Sequence, residues 1–250
     1  MGAQKNRLDP EARARMRSLV ERFMMPAHLA RRVASGELAL SDALLSMQRE
    51  ELAGRLLAED RIDSQGASLV RRGCLTADAA EFMKRVRDHK ARQGYGVSRL
   101  DELLGQDVGV ALVGGRLVQG RLVEAETYQI ILETADGMLA LDKHDVKLVF
   151  RAAHRKRLLK RGVTWGAPEE RLEPEALRSR SSRRDVKARQ LLSAMEGEGV
   201  VTWTTAEGDR LRGRVTGFNR FEVVFETAQG DEVLLFRHAF GGMDLRVPGA

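Results

Sequence analysis

Two stretches of the chain repeat one another in register, 93 residues apart, and this limits the fold more than any other feature. Gly115, Gly120, Arg121, Tyr128, Glu133, Thr134, Ala135 and Gly137 correspond to Gly208, Gly213, Arg214, Phe221, Glu226, Thr227, Ala228 and Gly230. After one extra residue in the second copy, Lys143-His144 meets Arg237-His238. Both copies are strand-patterned, with Val108, Val110, Leu112, Leu117, Leu122, Ile130 and Leu132 set among turn residues in the first. Gly114-Gly115 and Asp136-Gly137 mark hairpins there, and Glu207-Gly208 and Gln229-Gly230 mark them in the second. Each copy opens with a short helical segment, Leu100 to Leu104 or Val186 to Met195, followed by about five short strands. A sheet that small buries little unless it curls, and the mid-strand glycines Gly120 and Gly213 permit the bend. The expectation is an α+β chain with two small domains, residues 97–151 and 186–247, each a helix plus a five-stranded bent antiparallel β-barrel.

Residues 1–95 form a helical region by the same kind of reading. Leu19, Phe23, Leu29 and Val33, then Leu44, Met47, Leu52 and Leu56, recur at three- and four-residue spacing. A weaker repeat lies inside it, because Val33, Gly36, Leu38, Asp42, Ala43 and Met47 match Val70, Gly73, Leu75, Asp78, Ala79 and Met83. Each copy reads as a helix ended by a glycine, a short turn and a new helix capped by Ser41 or Thr76. Two helical hairpins are predicted over residues 10–95.

Charge separates these blocks. The chain carries a net +6, but residues 151–190 alone hold thirteen basic and five acidic side chains, while both strand-patterned blocks are net acidic. Residues 152–185 read as a basic, solvated linker. In it Arg155, Lys156, Arg157, Arg183 and Arg184 are candidates for phosphate contact. Residues 155–161 have helical character, Trp165-Gly166-Ala167-Pro168 interrupts it, and the Ser-Arg repeats at 179–184 read as disordered. The basic balance suits an anionic partner.

Within the repeats the residues resemble the Hfq branch of the bacterial Sm-like family. Leu112-Val113-Gly114-Gly115, Val118-Gln119-Gly120-Arg121-Leu122 and Asp142-Lys143-His144-Asp145-Val146 carry the likeness in the first copy. Leu211-Arg212-Gly213-Arg214-Val215, Phe218-Asn219-Arg220-Phe221 and Phe236-Arg237-His238-Ala239-Phe240 carry it in the second. The resemblance implies an edge-to-edge ring that binds U-rich single-stranded RNA. Tyr128 or Phe221 would stack on a base, and Lys143-His144 or Arg237-His238 would contact base and backbone polar atoms. Asn219 and Arg220 in the same loop are further candidates for RNA contact, with Asn219, like Glu126, at a position also read as a turn or hydrogen-bonding one. Two copies per chain imply a homo-oligomer, three chains completing a pseudo-hexameric ring. The family's purine-binding face uses a first-strand Tyr, and Ala111 and Thr204 stand there instead.

Other function classes find little support. There is no phosphate-binding glycine loop, no dinucleotide fingerprint, no paired-His zinc motif and no serine elbow. The five histidines lack metal spacing. Cys74 is the sole cysteine, which leaves no intrachain disulfide and suits a small, semi-buried helix residue. No enzyme, cofactor or metal is expected. Met1 to Asn6 shows no apolar signal core and no run is long enough to span a bilayer, so a cytoplasmic protein without membrane contact is expected. The expected function is RNA binding, of the kind an RNA chaperone or post-transcriptional regulator performs. The alternatives are a scaffold whose barrels only oligomerise while residues 10–95 recruit a protein, and duplex-DNA binding by the helical hairpins and linker.

Overall fold

A computed structural model describes residues 9–246 apart from 93, 174–176, 179–182 and 198, with backbone alone at 245–246. The chain divides into two compact units between Asp88 and His89.

The first unit is helical: α1 (Pro10–Phe23), α2 (Ala27–Ala34), α3 (Leu40–Ala58), α4 (Ser64–Arg71) and most of α5 (Ala77–Ala91). Asp9 and Asp63 cap α1 and α4, accepting from the N–H groups of Ala12 and Gly66. Gly36 and Gly73 follow α2 and α4 at φ +79° and +70°, the left-handed conformation that ends a helix without steric cost. Thr76 caps α5 as expected, at 3.3 Å from Ala79 N. Ser41 does not cap α3, which begins one residue earlier behind Ala39. Two apolar clusters hold the helices, one around Leu19, Met25, Leu29 and Val33 and one around Leu56, Ile62, Ala67 and Val70. Cys74 is exposed in the bend after α4, not semi-buried in a helix.

The second unit corrects the expectation of two separate five-stranded barrels. Its strands β1 (Asp107–Leu112), β2 (Leu117–Ala125), β3 (Gln129–Thr134), β4 (Gly137–Asp142), β5 (Val146–Arg151), β6 (Val163–Thr164), β7 (Val200–Thr205), β8 (Arg210–Phe218), β9 (Glu222–Thr227), β10 (Glu232–Phe236) and β11 (Phe240–Arg246) form one eleven-stranded antiparallel sheet. The order is β11-β7-β8-β9-β10-β5-β1-β2-β3-β4, with β6 on β8. The repeats fuse where β10 pairs with β5, Leu234 opposite Val149. A five-stranded sheet has edges of unpaired backbone groups, and joining one edge from each repeat satisfies both.

The hairpin turns lie where the sequence puts them. Gly114, Gly137, Gly208 and Gly230 all take positive φ. Gly120 and Gly213 have a tighter role than bending, because a Cβ at either would collide with the carbonyl of the facing strand, Glu133 or Glu226. The core gathers Leu100, Val108, Leu122, Ile130, Leu132 and Val149 with Leu234 and Phe236, so residues of both repeats share it.

The supposed linker is structured over most of its described length. α6 (Arg155–Arg157) runs into a π-type turn at Leu158–Gly162, then β6 adds to β8. Arg171 bonds Glu207 and Asp209, Arg157 forks onto buried Asp231, and Arg178 reaches Asp145. These long-range ion pairs replace a free, solvated tether with a pinned strap. Ser179 to Ser182, the centre of the Ser-Arg repeats, lie outside the described residues, as do Met1 to Leu8.

Candidate functional site

The candidate surface is built by two equivalent turns. In each repeat the fourth strand ends in a 3-10 turn that carries the cation-His pair, Lys143–Asp145 after β4 and Arg237–Ala239 after β10. In each, the backbone N–H of the cation donates to the carbonyl of the aromatic residue, Lys143 to Tyr128 at 2.7 Å and Arg237 to Phe221 at 2.9 Å. This bond fixes ring and cation as neighbours in both copies. Tyr128 is 69% and Phe221 46% exposed. Neither is a core aromatic.

Because β10 lies beside β5, the end of β10 and the start of β5 bring the two turns together. The rings of His144 and His238 are 5.7 Å apart. The five histidines are scattered in the sequence, and the fusion of the sheet makes two of them adjacent. His238 is pushed down to about 4, by burial first, then by His144 and Arg183, with the Val146 backbone and Asp142 acting the other way. Its Nε2 is buried without a partner among the described residues. Asp142 accepts from the His144 N–H at 2.8 Å and lies 3.2 Å from its Nδ1, so it caps the first turn.

The Lys143 side chain is partly buried. Burial lowers its pKa, while the carboxylates of Glu222 and Asp101 act in the opposite sense. Glu222 itself is buried next to Phe221 and accepts from Ser98 Oγ and from the Arg99 N–H at 2.9 Å, which ties the turn opening the first repeat to the loop of the second.

The remaining predicted residues divide by role. Asn219 is buried and structural: its Oδ1 accepts from the N–H groups of Phe221 and Glu222, and its amide donates to the Val97 carbonyl. Arg220 is exposed with its guanidinium 5.6 Å from the Phe221 ring centroid, a cation beside an open π face. Arg237 is tied down, its Nη1 donating to the carbonyl of Asn219 at 3.0 Å and its Nη2 to that of Val186 at 2.5 Å. Of the five strap candidates, Arg157 is held by Asp231, Arg183 by the Leu177 and Arg178 carbonyls, and Arg184 by the Gly241 carbonyl. Arg155 and Lys156 are exposed and make no ion pair among the described residues.

No family model matches the chain, and no curated protein matches it significantly.

Sequence reasoning missed the buried charge cluster that locks the two repeats together. Lys147 in β5 is completely buried and bonds both Glu207 and Asp209 of the second repeat. Glu207 also accepts from the N–H groups of Gly114 and Leu172, and Asp209 accepts from the Gly166 N–H and from the Thr205 hydroxyl at the end of β7. Burial pushes both carboxyls up, but Lys147 and the backbone donors outweigh it and hold both below the ordinary range. The available signal was acidic residues at the second repeat's turn where the first has Gly114 and Arg116.

Proposed function

We propose that the chain is a non-catalytic, single-stranded RNA-binding protein of the Hfq-like kind, holding U-rich strands on the surface around Tyr128, Lys143, His144, Arg220, Phe221 and His238. The observation that carries this reading is the shared bond in both repeats, which sets an exposed ring beside a cation-bearing turn. A base stacked on such a ring gains roughly 1–3 kcal/mol, largely without regard to sequence. Arg220 or Lys143 then attracts the phosphate chain. Cytoplasmic residence belongs to the same proposal. No helix among the described residues is long and apolar enough to cross a membrane.

Assembly is part of the reading. Among the described residues β4 and β11 remain as open edges, and they are the counterparts of β10 and β5, which pair within the chain. Repeating that pairing between chains gives a head-to-tail homo-oligomer, proposed as a ring of three. An RNA chaperone role would follow from several ring sites on one assembly, with residues 10–95 left to recruit a protein partner.

Titration of full-length protein with labelled polyuridine tests the proposal. The expected result is salt-sensitive binding that weakens about tenfold or more in Phe221→Ala and Tyr128→Ala together. Unchanged affinity in that double variant rejects the ring site. Absence of any binding favours the scaffold alternative, in which the repeats serve only to assemble.

A further inference from the structure

A second charged surface uses none of the residues of the ring site. β8 carries Arg210, Arg212 and Arg214 at alternate positions, all exposed, while Leu211, Gly213 and Val215 between them are buried. Alternation in a strand places the three guanidinium groups on one face, with successive ones about 6.6 Å apart. The first repeat has Leu117, Gln119 and Arg121 at the same positions, so the ladder belongs to the second repeat alone.

The strap delivers more cations to this place. β6 pairs with the start of β8, Val163 opposite Leu211 and Thr164 opposite Arg210, which anchors the preceding residues beside the ladder. Arg161, Arg212 and Arg214 together line an open groove of about 670 Å³. A second groove of about 680 Å³ is lined by Arg155, Lys156 and Lys160 of the strap together with Gln119 of β2. Gln119 is the counterpart of Arg212, so strap residues share a groove with the same strand position of each repeat. None of these cations makes an ion pair or side-chain hydrogen bond among the described residues, in contrast to Arg157 within the same segment. One carboxylate, Glu226, lines the Arg161 groove.

We infer that this band binds the phosphate chain of a single-stranded nucleic acid, without reading its bases. Unpaired guanidinium groups repeated along a strand match a ligand whose charges also repeat at regular intervals, and Arg forks suit phosphate oxygens. Stable docking on an acidic protein segment or a membrane surface usually adds burial of apolar side chains to charge attraction. None of the exposed large apolar residues, among them Met24, Val123, Tyr128, Met138 and Phe221, lines either groove. The ligand class is that of the ring site, but the proposal does not depend on that site.

The test uses the full-length chain and a labelled mixed-sequence single strand, with affinity followed across salt. Each neutralised phosphate contributes roughly 0.7 to the slope of log affinity against log salt, so the triple variant R161Q/R212Q/R214Q is expected to lose about 2 from that slope. Its affinity at low salt should fall about tenfold or more. The charge-keeping R161K/R212K/R214K should retain the slope. A slope unchanged in the glutamine triple overturns the inference, as does a slope lost equally in the lysine triple, or competition by polyglutamate as strong as by polyuridine. Phe221→Ala with Tyr128→Ala should weaken binding and leave the slope in place, so failure of the ring site and failure of the band give different readings.

Discussion

Gly114 and Glu207 occupy the same position in the two repeats and are hydrogen-bonded to each other, the Gly114 N–H donating to Glu207 Oε1 at 2.6 Å. The same carboxylate bonds Lys147 and Arg171, so a turn of one repeat, a strand of that repeat and the strap converge on one side chain of the other. A buried ion pair adds little net stability against an apolar substitute, but breaking one partner leaves an uncompensated charge. Lys147→Ala strands two buried carboxylates. The expected loss is about 3–5 kcal/mol of unfolding free energy, read by denaturant titration. A loss under about 1 kcal/mol would show that water reaches Glu207 and Asp209 and that the cluster does not lock the repeats.

Acid should loosen the same lock. Glu207 and Asp209 are held below their ordinary values of 4.5 and 3.8. A depressed carboxyl contributes stability that is present above its unfolded value and lost as pH falls through the folded one. His238 acts at higher pH. Its folded value of about 4 lies below the ordinary 6.5, so the unfolded chain takes up the proton first. Stability should therefore decline as pH drops from 6.5 toward 4, by at most about 3 kcal/mol from this residue. His238→Asn should flatten that part of the profile, while a profile unaltered by the substitution would mean His238 protonates freely in the folded protein.

Arg237 and Lys143 hold the same repeat position, but their substitutions should separate. Arg237 donates to carbonyls of Asn219, Arg220 and Val186, so Arg237→Ala removes a clamp on the loop that presents Phe221. The expected outcome is a stability loss of about 1–3 kcal/mol, with binding weakened through disorder of the ring. Lys143 makes no side-chain hydrogen bond among the described residues. Lys143→Ala should leave the unfolding midpoint nearly unchanged and weaken polyuridine binding. Equal stability losses in the two variants would contradict this division.

The parts of the fold legible in the sequence were those written in local pattern. The 93-residue register, the turn glycines and the helix-ending Gly36 and Gly73 follow from backbone conformations only certain residues adopt. What escaped was non-local. Pairing of β10 with β5 is made by backbone groups that every residue carries, so no side-chain pattern announces it. The strap read as solvated because charge runs usually are, and its anchors at Asp231, Glu207 and Asp209 lie 36 to 74 residues away in sequence. At the site, Tyr128 and Phe221 follow from the family resemblance, with register pairing them, whereas the meeting of His144 with His238 required the fused sheet.

That pairing also yields a register for assembly. Within the chain Val233 faces Phe150, Leu234 faces Val149 and Leu235 faces Leu148. The repeat offset at this end of the domain is 94, so the counterparts are Leu139, Ala140 and Leu141 on β4 and Asp244, Met243 and Gly242 on β11. Leu139 of one chain should therefore face Asp244 of the next, Ala140 should face Met243, and Leu141 should face Gly242. Met138 and Ala140 are exposed on the open β4 edge. Lysine at an edge strand opposes pairing by desolvation and repulsion while an isolated chain tolerates it. Met138→Lys with Ala140→Lys should thus reduce the mass measured by light scattering from that of three chains to that of one, with the unfolding midpoint of the monomer preserved. A single-chain mass for the unaltered protein would remove the ring and leave the joint between its two repeats as the only such pairing it makes.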